Sequence, residues 1–98
     1  MIHRFVKLKF ARRDIPEIKP LFESIAPKVR GFEGCKYLEI LYDVRDSGKV
    51  VTYSHWESEA HLETYRNSEV FQSFWSLVKP RFIKPAEAWS MSREIQLD

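Results

Sequence analysis

The sequence predicts an α+β fold with the element order β-α-β-β-α-β, and three observations predict it. Ile2 to Phe10 alternates with the period of two that a strand requires. Ile18, Leu21, Phe22, Ile25 and Val29 recur at the spacing of one helical face. Val50 to Phe74 then runs from a β-branched and aromatic strand straight into an aromatic-rich helical segment, with Trp56-Glu57-Ser58 at the joint. The chain has 98 residues, the size of one domain. Its 44% hydrophobic and 31% charged content is that of a globular chain. A chain this small withdraws only about two-thirds of its unfolded surface from water, so association with a second copy would help it.

Each element follows from local chemistry. In the first strand, Ile2, Val6, Leu8 and Phe10 share a face with Arg4, while His3, Phe5, Lys7 and Lys9 share the other. Asp14 before Ile15-Pro16 is a helix start. Pro20 can fall in the first turn, Pro27 should kink or tighten the last, and Gly31 is placed to end the helix. Cys35 to Asp43 is a second strand, apolar enough on both faces for both to be covered. Asp43 to Lys49 is a turn, and Val50 to Glu57 the third strand. Ser58 can cap one helical segment and Ser68 another, with Asn67-Ser68 as the break between them. Pro80 ends the second segment. Ala86 to Leu97 is the last strand, with Trp89, Met91 and Ile95 on one face. This order is the ferredoxin-like one, a four-stranded antiparallel sheet with helices on one side and an open face on the other.

Many chemistries lack their residues. Net charge is +2 and the basic residues are scattered, so neither nucleic acid nor an anionic membrane is demanded. The stretch Gly48 to His55, which enters the third strand, lacks the paired rings with which RNA-recognition sheets stack bases. One cysteine, Cys35, excludes a disulfide within the chain and makes a cytosolic compartment the default. The N-terminus is too charged for a signal-peptide core, and no apolar run approaches a membrane span. With three glycines there is no nucleotide-binding glycine pattern. A metal site would need His3, His55 and His61 to converge from separate elements. Ser54 and His55 resemble a nucleophile and base, but neighbours on a strand point to opposite faces.

A cavity survives this elimination. Thr52, Ser54 and Trp56 share a strand face, and beneath the helices they would meet Phe22, Tyr65, Phe71 and Trp75. Large apolar walls with a few polar groups are what small-molecule pockets are made of. The competing expectation is a solid aromatic core. Arg4 either snorkels to water from its strand end or supplies this cavity with a fixed positive charge. On the opposite face Phe5, Tyr53 and His55, with Trp89, make an aromatic surface that a two-fold dimer packing sheet on sheet would bury.

The chain also resembles a known family. Gly31-Phe32-Glu33-Gly34-Cys35, Tyr53-Ser54-His55-Trp56-Glu57-Ser58-Glu59-Ala60 and Tyr65-Arg66-Asn67-Ser68-Glu69-Val70-Phe71 resemble antibiotic biosynthesis monooxygenase domains of the dimeric α/β-barrel superfamily. The resemblance covers nearly the whole chain. It implies a homodimer with one pocket per subunit between sheet and helices. It also implies cofactor-free oxidation of a small phenol or quinol, whose own anion reduces oxygen. The family's strand-end tryptophan matches Trp56, whereas Thr52 replaces the asparagine four residues earlier and Leu62 a tyrosine six residues later. The haem-degrading branch is not matched. Its axial histidine would fall near Trp75, its asparagine near Arg4 and its helical tryptophan near Tyr65. The alternative function is a non-catalytic dimer that binds a small aromatic or acidic metabolite.

Overall fold

The computed structural model describes residues 1–98. Strand β1 (Ile2–Lys9) leads through a short 3-10 turn into helix α1 (Ile15–Arg30). A hairpin of β2 (Cys35–Tyr42) and β3 (Lys49–Trp56) follows, then helices α2 (Glu59–Arg66) and α3 (Glu69–Val78), and finally β4 (Glu87–Met91). The sheet order is β2-β3-β1-β4 and every neighbouring pair is antiparallel. The β1–β3 pair at its centre runs in unbroken register from Ile2 opposite Trp56 to Lys9 opposite Lys49. Because side chains alternate, that register alone decides which residues lie under the helices.

Helix boundaries follow their capping residues. Ser58 Oγ accepts from the His61 amide at 3.2 Å, and Ser68 Oγ accepts from the Phe71 amide at 3.2 Å. These caps divide the helical stretch into two helices at Asn67-Ser68. Asp14 starts α1 without a side-chain cap and instead faces Arg81 at 3.6 Å. Pro20 and Pro27 both lie inside α1, on its exposed side. Neither ends the helix, because Ile15, Ile18, Phe22 and Val29 are buried along its other side and hold it in place.

Three expectations need correction. The last strand stops at Met91 rather than Leu97. Met91 pairs with His3, and β1 offers only Ile2 beyond that point, so residues 92–98 have no ladder to join. In the single chain the second strand is covered on one face only, since Tyr37 is 39% and Leu41 47% exposed. Cys35 does not share a face with Tyr37. A register shift between them turns Cys35 back beneath the helices, opposite Trp56. Gly31 does terminate α1, but with φ −79° it sits in a conformation open to any residue. The glycine the turn requires is Gly34, at φ +88°, where an added Cβ would strike the His61 ring. Its carbonyl accepts from the Glu57 amide at 2.8 Å and so fastens the turn to the end of β3.

The buried residues form two groups rather than one. Leu8, Phe10, Ile15, Ile18, Phe22, Val50 and Val78 pack at one end of the helix-covered face. Val29, Cys35, Trp56 and Leu62 pack at the other. Gly34→Ala is expected to destabilise the protein by about 2–4 kcal/mol, from the left-handed φ and the His61 clash together. Gly31→Ala should change stability by less than about 1 kcal/mol. Urea unfolding of both variants checks the contrast.

Candidate functional site

Between the two packed groups lies a cavity of about 270 Å³. Its floor is the sheet, and cross-strand pairing arranges the floor in rows. One row reads Leu38, Ser54, Arg4, Ser90 across β2, β3, β1 and β4. The next reads Ile40, Thr52, Val6, Ala88. The roof comes from Phe22, Ile25 and Val29 of α1, from Leu62, Tyr65 and Arg66 of α2, and from Phe71, Phe74 and Trp75 of α3. Arg4, Phe22, Thr52 and Ser54 all line this one cavity, and so do Trp56, Tyr65, Phe71 and Trp75.

One wall is a run of rings. Trp56 stacks on Tyr65 with centroids 5.0 Å apart, and Tyr65 meets Phe71 edge to face at 5.2 Å. Phe71 in turn stacks on Trp75 at 5.4 Å. These contacts join the end of β3 to both later helices across the break at Asn67-Ser68. Trp56 is fully buried, and its indole Nε1 donates to Ser54 Oγ at 3.0 Å. That bond satisfies the one polar atom of a side chain otherwise surrounded by carbon.

The polar groups of the lining are few. Thr52 makes no side-chain bond to the protein, which leaves its hydroxyl to the cavity. Burial pushes the Tyr65 phenol well above its ordinary pKa, so it stays neutral and can donate but cannot serve as a base. Arg4 is half-buried and donates from one guanidinium nitrogen to Ser90 Oγ at 3.1 Å. Burial and the neighbouring Arg66 charge lower its pKa from the ordinary value. No carboxylate and no imidazole lines the cavity. Cys35 stands behind Trp56 outside the lining, and burial raises its thiol pKa. No group of three or more His, Cys, Asp or Glu side chains is placed to hold a metal ion.

Phe5, Tyr53 and His55 occupy the other face of the sheet. Phe5 stacks on Tyr53 at 4.6 Å and on Trp89 at 5.8 Å. The Tyr53 hydroxyl lies 2.9 Å from His3 Nδ1 and 2.7 Å from His55 Nε2. Burial lowers both imidazole pKa values. Ser54 and His55 are thereby separated by the whole sheet. Among the lining residues that sequence reasoning missed, Arg66 is the charged one, although Leu62 and Arg66, four apart on one helix, necessarily share a face.

A family model described as antibiotic biosynthesis monooxygenase matches residues 1–76. The chain belongs to the antibiotic biosynthesis monooxygenase family. Solved structures agree in fold. A crystal structure described as antibiotic biosynthesis monooxygenase superimposes with a TM-score of 0.92 at 19% identity, over 97% of this chain and 100% of that one. A conserved protein from Methanosarcina mazei Go1 gives 0.89 at 17% identity, over 95% and 92%. A protein from Nitrosomonas europaea that carries the family's name gives 0.89 at 12% identity, over 95% and 98%. No curated protein sequence matches the chain. No helix is long and apolar enough to cross a membrane. Within this antibiotic biosynthesis monooxygenase fold, Ser54 and Thr52 test what the floor hydroxyls do. Ser54→Ala strands the Trp56 indole N–H and should cost about 1–3 kcal/mol. Thr52→Val should cost less than about 1 kcal/mol. Thermal unfolding of the two variants reads the difference.

Proposed function

We propose that the cavity binds a small phenolic or quinol-type substrate and that the protein oxidises it with O2 without a cofactor. The observation that carries this reading is the cavity itself, which splits the core of a family member and is walled by rings with only a few polar groups. In its keto form such a substrate presents a ring CH2, and converting that CH2 to C=O consumes one O2. One oxygen atom enters the product, and the other leaves as water with the two hydrogens. The substrate anion supplies the electrons, so the protein's task is to desolvate, orient and favour that anion.

The lining offers no carboxylate or imidazole to take the substrate proton, which therefore leaves to water at the cavity mouth. Arg4 and Arg66 favour the anion and lower the substrate pKa. Activity should consequently rise with pH along the ionisation of the substrate, not of a histidine. Oxygen uptake with a series of hydroquinones and anthrones checks this, since the midpoint should move with each compound's own pKa. Absence of uptake across the series, together with unchanged ligand binding in Arg4→Ala, would overturn the catalytic reading. The missing base supports a second reading, a non-catalytic module that holds a small aromatic or acidic metabolite in the same cavity.

The open sheet face supports a homodimer. Tyr53, Phe5 and Trp89 form one continuous aromatic row across three strands, and Trp89 is 40% exposed in the single chain. A second copy packed sheet on sheet would cover that row. Sedimentation should give twice the chain's mass, and Trp89→Glu should shift it toward monomer. Acidification should act in the same direction. Both imidazoles titrate below their ordinary value of about 6.5, so they are neutral at pH 7 and gain charge at the buried face only as pH falls below it.

A further inference from the structure

We propose that the cavity recognises an aromatic acid, with its carboxylate held by Arg4 and Arg66 and its one or two rings against the Trp56–Tyr65–Phe71–Trp75 wall. The proposal rests on the cavity being a ligand site and adds the chemical class of its occupant. It begins from a charge without a partner. Arg81 pairs with Asp14 and Glu17, and Arg66 with Glu63. Arg4 has no carboxylate within ion-pair distance, although it lies mid-sheet, half-buried, between Ser54 and Ser90. A guanidinium carries five N–H donors, and the protein uses one of them, on Ser90. Keeping a cation partly out of water without a counter-ion is costly. A bound anion removes that cost, and the fork of an arginine matches a carboxylate in particular.

The second charged lining residue has the same sign. Arg66 ends α2 at the rim of the cavity, and its partner Glu63 stands outside the lining. Glu63 draws on Arg66 and weakly on Arg4, so the site has a net single positive charge rather than two. A monoanion therefore balances it. The remaining space decides the body of the ligand. An engineered apolar cavity of roughly 150 Å³ holds benzene, so about 270 Å³ suits a substituted single ring or two fused rings. Tyr65, Phe71 and Trp75, each partly exposed, give such a body apolar ring surface, with fully buried Trp56 packed behind Tyr65.

The test uses three compounds of one shape at pH 7: 2-naphthoate, its methyl ester and neutral 2-naphthol, each titrated calorimetrically. Naphthoate should bind on the order of 10- to 100-fold more tightly than the ester or the phenol, the range of one or two charge-assisted hydrogen bonds. Arg4→Met, which keeps the length of the side chain, should close that gap by weakening naphthoate far more than the ester or naphthol. Arg66→Gln at the exposed helix end should narrow it. Glu63→Gln should widen it, because it frees Arg66. Equal binding of acid and ester by the native protein overturns the proposal and leaves the cavity reading standing. A gap that persists in both arginine variants also overturns it. Failure of all three compounds to bind overturns the cavity reading and this proposal with it. Should Arg4→Met not fold, Arg66→Gln and Glu63→Gln decide by their opposite signs.

Discussion

The structure depends on the pairing register of β1 against β3. Trp56 is buried because it stands opposite Ile2, and Arg4 faces the helices because it stands opposite Ser54. A slip of one residue would put His3, Phe5, Lys7 and Lys9 beneath the helices and expose Val6 and Leu8 to the outside. Lys7 and Lys9 have no partners under the helices, so that alternative would bury two unpaired cations. The correct register is enforced by what the wrong one would cost. It also sets the second strand in place, since β2 pairs with β3 and brings Leu38 and Ile40 to the same floor.

The division of the core into two groups leaves a cavity between them. A four-stranded sheet under helices could have been filled completely by the rings this chain carries. Instead, Trp56 and Tyr65 pack toward the Cys35 end, and Phe22 meets Phe74 toward the Phe10 end. Backbone spacing keeps the helices at a distance set by these large side chains, and the middle is left to Thr52, Ser54, Val6 and Arg4, which are too short or too polar to fill it. Charge without a partner and volume without a filler occur in the same place. A purely apolar cavity would stay dry, whereas Arg4, Thr52 and Ser54 give this one a partly polar lining.

The two faces of the sheet carry different problems. On the helix side a cation is retained near apolar rings. On the open side the Tyr53 hydroxyl serves two imidazoles at once, and having one proton to give it can donate to only one of them, so at least one histidine donates an N–H to it. Phe5 and Trp89 extend this surface to the sheet edge. In the single chain one face thus carries a cation with no ion-pair partner and the other carries exposed aromatic rings.

Much of this was determined by the sequence alone. Period-two alternation assigned Arg4, Thr52, Ser54 and Trp56 to one face and Phe5, Tyr53 and His55 to the other, because pleating permits no other outcome in an unbroken strand. Ser58 and Ser68 announced their helices for an equally local reason. What only the tertiary structure decided is whatever depends on a neighbour far along the chain. Cys35 changed face because of a register shift against β3, which parity within β2 cannot reveal. The last strand ended at Met91 because its partner strand ends, not because its own residues change. Arg66 entered the cavity lining because α2 docks over the sheet, which brings it near Arg4, 62 positions earlier in a chain of 98. Local chemistry is written residue by residue, whereas a cavity is the space between elements and exists only once they have packed.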